Sequence, residues 1–213
     1  MTPPPCPAAG PPRGVVLAGG PGSRLGGGKP WRRVAGRRLI DLAGQALERA
    51  GLEVMVVTVE VAACADLPWE VIADRWPGQG PLAALITAFL DSEAQGIVLM
   101  AVDLPLVRPA LLARLALAHD GHCKALAPIG PQGWPEPLLA YYSRQCLPAA
   151  QRLRARGEDR PRMLLGAVGA QFLDPAEVAR LDPKGHSFLN VNRPQDLELA
   201  CRAAEAGGLF DTP

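Results

Sequence analysis

The run GIVLMAV (Gly96–Val102) carries no polar side chain over seven residues, and no other feature restricts the fold as much. A strand with one wet face alternates apolar and polar residues; an unbroken apolar run needs cover on both faces. Two valine-rich runs, GVVLA (Gly14–Ala18) and EVMVVTV (Glu53–Val59), read the same way, and WEVIA (Trp69–Ala73) reads as a shorter strand. Between them lie helical patterns. Leu39–Ala50 places Leu39, Ile40, Ala43, Ala46, Leu47 and Ala50 on one face and stops at Gly51. Gly80–Ala94 reads as a helix with proline in its first turn, and Arg108–Ala118 as another. Strand alternating with helix predicts an α/β fold with a mainly parallel central sheet.

The second half is less regular. KALAPI (124–129) and PLLAYY (137–142) suggest strands, and SRQCLPAAQRLRAR (143–156) a helix interrupted at Pro148. GEDRPR (157–162) reads as a polar loop whose flanking arginines, Arg156, Arg160 and Arg162, could meet an anionic substrate or simply be solvated. RPQDLELACRAAEA (193–206) closes the chain as a helix.

Composition narrows the class. With 213 residues, 48% hydrophobic and 20% charged, the chain is long enough for one globular domain, expected over residues 14–207. Residues 1–13 hold six prolines and no apolar core of the kind a secretory leader needs, so they read as a disordered tail and a cytoplasmic location is expected. A net charge of +1 leaves no electrostatic footprint for nucleic acid, and no apolar run is long enough to span a membrane. Five cysteines (Cys6, Cys64, Cys123, Cys146 and Cys201) lack CxxC spacing, which argues against a disulfide framework and against a zinc site.

In open α/β sheets, ligands bind beyond the carboxyl ends of the strands. Three informative stretches fall there. LAGGPGSRLGGGKP (Leu17–Pro30) holds six glycines and ends on Lys29, one of only three lysines among 22 basic residues. Gly19 and Gly20 let backbone N–H groups approach an anion, Ser23 adds a hydroxyl, and Arg24 and Lys29 add charge. The stretch is neither GxxxxGK[ST] nor GxGxxG, and a plain surface loop is the alternative reading. Asp103, in AVDLPLV, ends the apolar strand. A buried carboxylate there needs a cation, and Mg²⁺ with phosphate oxygens suits it; capping of the following helix is the alternative. Asp74, in ADRWPGQGPLAA, precedes turn residues and reads either as an acceptor for a sugar or base, or as a turn cap or a partner of Arg75. Downstream, NVN puts the amides of Asn190 and Asn192 on one side of an extended segment, for a polar ligand or for backbone groups of the next turn.

Together these stretches resemble the molybdenum cofactor guanylyltransferases, the MobA-type enzymes. Their pattern LAGG-x-S-x-R-M-G-x-D-K is similar to LAGGPGSRLGGGK here, with equal spacing from the glycines to the lysine. ADRWPGQGPLAA resembles the family's D…PG-x-GPLAG, AVDLPLV its P-x-D-x-P element, WPEPLLAYY its EPL-x-ALY, and FLNVNRPQDL its NVNTPEDL. The matches run in order from Leu17 to Leu197.

The resemblance implies a Rossmann-like three-layer sandwich of the nucleotide-diphospho-sugar transferase type, with a nucleotide-binding half at about 14–107 and an acceptor-binding half at about 108–207. It implies transfer of GMP from GTP to molybdenum-molybdopterin with release of pyrophosphate. Leu17, Ala18, Gly19 and Gly20 would line the nucleotide pocket, with Lys29 on the triphosphate and Asp74 by the nucleoside. Asp103 would hold Mg²⁺, Lys29 and Arg24 would offset phosphate charge, and Asn190 and Asn192 would lie toward the acceptor. Other cofactor-biosynthesis proteins or apo-molybdoenzyme chaperones are the implied partners. Departures are Gly28 for aspartate, Gly22 for serine, Leu25 for methionine, and Thr58 as the nearest match to an asparagine often found after the second strand. LAGG with PLA resembles guanylyl-specific members; use of CTP, a sugar or alcohol phosphate acceptor, or nucleotide binding without catalysis are the alternatives.

Overall fold

The computed structural model describes residues 11–19, 28–119 and 123–207. The expectations for the tail at 1–10 and for Gly20, Ser23 and Arg24 lie outside them.

The apolar runs form the centre of one seven-stranded sheet. Its strands are β1 (Arg13–Leu17), β4 (Val54–Thr58), β5 (Glu70–Ala73), β6 (Gly96–Ala101), β7 (Ala125–Pro128), β8 (Leu139–Ser143) and β9 (Gln171–Leu173). The order is β5-β4-β1-β6-β8-β7-β9, and β8 is the strand that runs against its neighbours. A small hairpin, β2 (Arg33–Val34) with β3 (Arg37–Arg38), stands apart from it.

Period-two alternation explains why the runs have no polar side. In β6, Val98 and Met100 enter one core while Ile97 and Leu99 enter the other. β1 does the same with Val16 against Val15, and β4 with Val54 and Val56 against Met55 and Val57. Helices α1 (Leu39–Arg49), α3 (Pro109–Ala116) and α7 (Pro194–Gly207) cover the first face. Helices α2 (Gly80–Leu90), α4 (Leu147–Ala155) and α5 (Pro161–Val168) cover the second. α6 (Pro175–Leu181) packs beside α3. The result is the expected three-layer α/β sandwich.

Boundaries differ from expectation for identifiable reasons. β1 takes in Arg13, which pairs with Glu53 and Glu70 at the neighbouring strand ends. Pro148 does not interrupt a helix: a 3-10 turn at Arg144–Cys146 precedes it, and Pro148 sits in the first turn of α4, where its missing N–H costs nothing. GEDRPR is loop only as far as Arg160, because Pro161 opens α5. Cys64, Cys123, Cys146 and Cys201 are in no disulfide, and burial pushes the Cys146 thiol up to about 12. Among the described residues no helix is long and apolar enough to cross a membrane.

Candidate active site

Strands β1, β4, β5 and β6 are mutually parallel, so their last residues reach one edge of the sheet. Beyond that edge lies a cleft of about 660 Å³, walled by Ala18, Gly19, Gly28, Asp74, Gly78 and Pro81 among others. The first wall is backbone. Ala18 still donates to the Val57 carbonyl at 2.9 Å, and the chain then leaves the sheet at Gly19. Leu17, expected to line the pocket, keeps its side chain in the core at 6% exposure, and its carbonyl accepts from the Val102 amide.

Asp74 follows β5 and also lines the cleft. Its Oδ1 accepts the Trp76 amide at 3.0 Å and lies 3.2 Å from the Thr87 hydroxyl on α2. Its Oδ2 stands 4.0 Å from where a Gly19 Cβ would be. Arg75 turns away and forms a fork with Asp91, which holds the Asp91 carboxyl below the usual carboxylate range. The alternative of an Asp74–Arg75 pair is thereby replaced by a turn cap that leaves one oxygen toward the cleft. Thr58 is buried, and its hydroxyl accepts the Glu60 amide, so it does not reach the cleft as an asparagine would.

A second cluster stands where the two halves of the chain meet. Lys29 Nζ donates to Asp103 Oδ2 and to Asn192 Oδ1, both at 2.6 Å. The Asn192 amide nitrogen donates on to Asn190 Oδ1 at 2.7 Å. The local chain enforces this grouping. Val191 is fully buried and its N–H bonds the Asp103 carbonyl at 2.8 Å, so the flanking asparagines share the opposite side. Asp196, in the first turn of α7, accepts the Asn192 and Arg193 amides at 2.8 and 2.7 Å. Gly28 precedes Lys29 at φ +60, a left-handed conformation that glycine adopts without cost, and it starts the 3-10 turn Lys29–Trp31.

The Lys29–Asp103 pair is mostly enclosed, at 13% and 16% side-chain exposure. Asp103 Oδ1 is buried without a hydrogen-bond partner among the described residues. Among the described residues this carboxylate is therefore matched on one oxygen only. Of the expected site residues, Ala18, Gly19 and Asp74 share the cleft, while Lys29, Asp103, Asn190 and Asn192 share the cluster; Gly20 and Arg24 lie outside the described residues.

Two features escaped the sequence reading. Glu136 ends the β7–β8 connection, where burial raises its carboxyl pKa and the charge of Asp103 adds to the rise, while the Leu138 amide bonding Oε1 opposes it. The signal was present in WPEPLLAYY, as a carboxylate between two prolines just before a strand. The other is Arg154 on α4, whose guanidinium lies 3.9 Å over the Trp76 ring. Arg160 pairs with Glu158 beside it rather than standing free for a ligand.

A mainly parallel sheet with strand-end carboxylates beside a cleft is the place where three-layer α/β proteins bind ligands, and the class follows from the relatives. The family model for the MobA-like NTP transferase domain matches residues 14–172. The probable molybdenum cofactor guanylyltransferase of Deinococcus radiodurans is 34% identical over 197 residues, covering 90% of this chain and 95% of the relative. That of Chloroflexus aggregans is 33% identical over 192 residues, covering 87% and 91%. The crystal structure of molybdopterin-guanine dinucleotide biosynthesis protein A from Archaeoglobus fulgidus superposes with a TM-score of 0.77 at 26% identity, covering 91% of this chain and 99% of that one. The chain belongs to the MobA-like NTP transferase family and is an enzyme of the nucleotidyltransferase type.

Proposed function

We propose that this enzyme transfers GMP from GTP to the terminal phosphate of molybdenum-molybdopterin, releasing pyrophosphate. The observation that carries the reading is a cluster of polar groups that adjoins the cleft through Gly28 and Pro30, the chain neighbours of Lys29. Lys29 joins Asp103, at a strand end, to the Asn192–Asn190 pair. The names of the relatives supply the acceptor and the base.

In this reading the Ala18–Gly19 backbone lies along the nucleotide, and Asp74 Oδ2 accepts hydrogen bonds from the nucleoside. Arg24 and Lys29 offset phosphate charge, so Lys29 exchanges its Asp103 contact for phosphate oxygens when GTP enters. Asn190 and Asn192 hold the acceptor. Its phosphate oxygen forms the new bond to the α-phosphorus as the α–β P–O bond breaks, and pyrophosphate leaves with the electron pair. A phosphate nucleophile is ionised near neutral pH, so no side chain has to take a proton; positioning and charge complementarity carry the reaction.

Asp103 Oδ1, buried and without a partner among the described residues, suits a hard cation. Mg²⁺ takes one or two carboxylates and completes its shell with phosphate oxygens and water. Asp103 would hold Mg²⁺, which supplies Lewis-acid charge to the phosphates. The product would pass to other cofactor-biosynthesis proteins or to apo-molybdoenzyme chaperones.

The test measures pyrophosphate release with GTP, CTP, ATP and UTP, each with and without molybdenum-molybdopterin. Release with GTP that depends on the acceptor supports the reading. Release with CTP alone, or with a sugar phosphate in place of the pterin, rejects it.

A further inference from the structure

The turn that closes the cleft is braced from outside the nucleotide half. Gly78, Gly80 and Pro81 wall the cleft; Gly78 lies in the turn that joins β5 to α2, and Gly80 and Pro81 open α2. Within the turn, the Gln79 amide donates to the Trp76 carbonyl at 3.1 Å. Asp74 Oδ1 also holds the Trp76 amide and the Thr87 hydroxyl accepts the Arg75 amide, and further anchors come from α4 and the α4–α5 connection. The Arg154 guanidinium covers the Trp76 ring at 3.9 Å, and Arg154 Nη2 donates to Gln79 Oε1 at 2.7 Å. The Asp159 carbonyl accepts the Leu82 amide at 3.3 Å. Gly80, at φ +79, passes so near that a Cβ on it would stand 2.7 Å from Asp159 Cβ. Trp76 packs on the core shared by α2, α4 and α5.

We infer that Arg154 is a positioning residue for the nucleotide: it clamps Trp76 and Gln79 and so sets the cleft wall formed by Gly78, Gly80 and Pro81. This rests on the reading of the cleft as the nucleotide site. Arg154 does not itself line the cleft. The side-chain type fits the task, because a planar guanidinium stacks on a ring and donates sideways at once, whereas an ammonium does only one of these well.

The experiment compares the full-length wild type with Arg154→Ala, Arg154→Lys and Gln79→Ala. Each is titrated with GTP and separately with CTP in Mg²⁺, alongside steady-state rates and thermal unfolding. Arg154→Ala is expected to weaken nucleotide binding and raise nucleotide KM about tenfold, with kcat at saturation within about twofold and acceptor KM unmoved. Arg154→Lys recovers part of the loss. Gln79→Ala, at an exposed position that leaves the core intact, costs about threefold. Nucleotide affinity equal to wild type in Arg154→Ala and Gln79→Ala overturns the inference and leaves the cleft reading standing. A rise in both KM values together with a lower unfolding temperature also overturns it, since that marks a general structural role. A wild-type chain that takes neither GTP nor CTP overturns the cleft reading and the inference with it.

Discussion

Asp74 and Asp103 stand at the same edge of the sheet, each just past the end of a parallel strand, yet their oxygens are used differently. Asp74 commits Oδ1 to the fold, holding the Trp76 amide and the Thr87 hydroxyl. Asp103 commits Oδ2 to Lys29, and its buried Oδ1 has no partner among the described residues. A carboxylate that caps a turn stabilises the protein whether or not a ligand arrives. One paired with a lysine on one oxygen, and with no partner among the described residues on the other, has capacity left for a charged ligand. Position at a strand end therefore does not define a role; the surrounding donors do.

That contrast can be broken by mutation. The largest effect is expected for Asp103→Ala, which should lower turnover about a thousandfold or more while the folded protein survives, measured by pyrophosphate release and circular dichroism. Turnover retained in Mg²⁺ would remove Asp103 from the active site. Next, Lys29→Met deletes the partner and leaves Asp103 unpaired, and a loss of about a hundredfold in kcat/KM is expected. If this variant instead binds nucleotide as well as wild type and turns over normally, the lysine serves the fold alone.

A smaller and different loss is expected for Asp74→Ala. The turn cap goes, at about 1 kcal/mol of stability, and nucleotide KM rises about tenfold with little change in kcat. Equal kcat losses for Asp74→Ala and Asp103→Ala would erase the distinction between the two carboxylates. The smallest effect belongs to Asp91→Asn, which removes the partner of the exposed Arg75. Because the folded Asp91 carboxyl lies below its ordinary 3.8, the contribution is present above that pH and fades as pH falls through the folded value. Chemical denaturation at pH 7 should show a loss of less than about 1 kcal/mol, and at acidic pH the mutant and wild-type curves should converge.

Much of the fold was legible in the chain. Three apolar runs announced buried strands, since only a sheet covered on both faces can use Ile97, Val98, Leu99 and Met100 in sequence. The parallel direction of β1, β4 and β6 followed from the helical patterns between them, whereas β5 is reached from β4 through only a 3-10 turn, Val61–Cys64, and its direction was not legible. Nor was the reversed direction of β8, because PLLAYY reads the same in either direction and β6 and β7 bond it from both sides. The short elements β2, β3, β9, α5 and α6 were missed, as two- to eight-residue segments carry too few side chains to show a period.

The candidate site divides along the same line. Lys29, Asp74, Asp103, Asn190 and Asn192 could be nominated from their places at strand ends and beside turns, and from the motifs they sit in. Their pairing could not. Lys29 meets Asp103 and Asn192 across 74 and 163 residues of chain, and no local rule encodes a contact at that separation. Nor could the choice between Arg75 and Trp76 as the partner of Asp74 be read locally, because it depends on where α2 places Thr87 and Asp91. Short-range hydrophobic period and turn chemistry were enough to specify which segments form the sheet and which residues stand at its edge. Which charges neutralise one another there depended on packing distant segments together, because an electrostatic partner is chosen by distance in space and by exclusion of water.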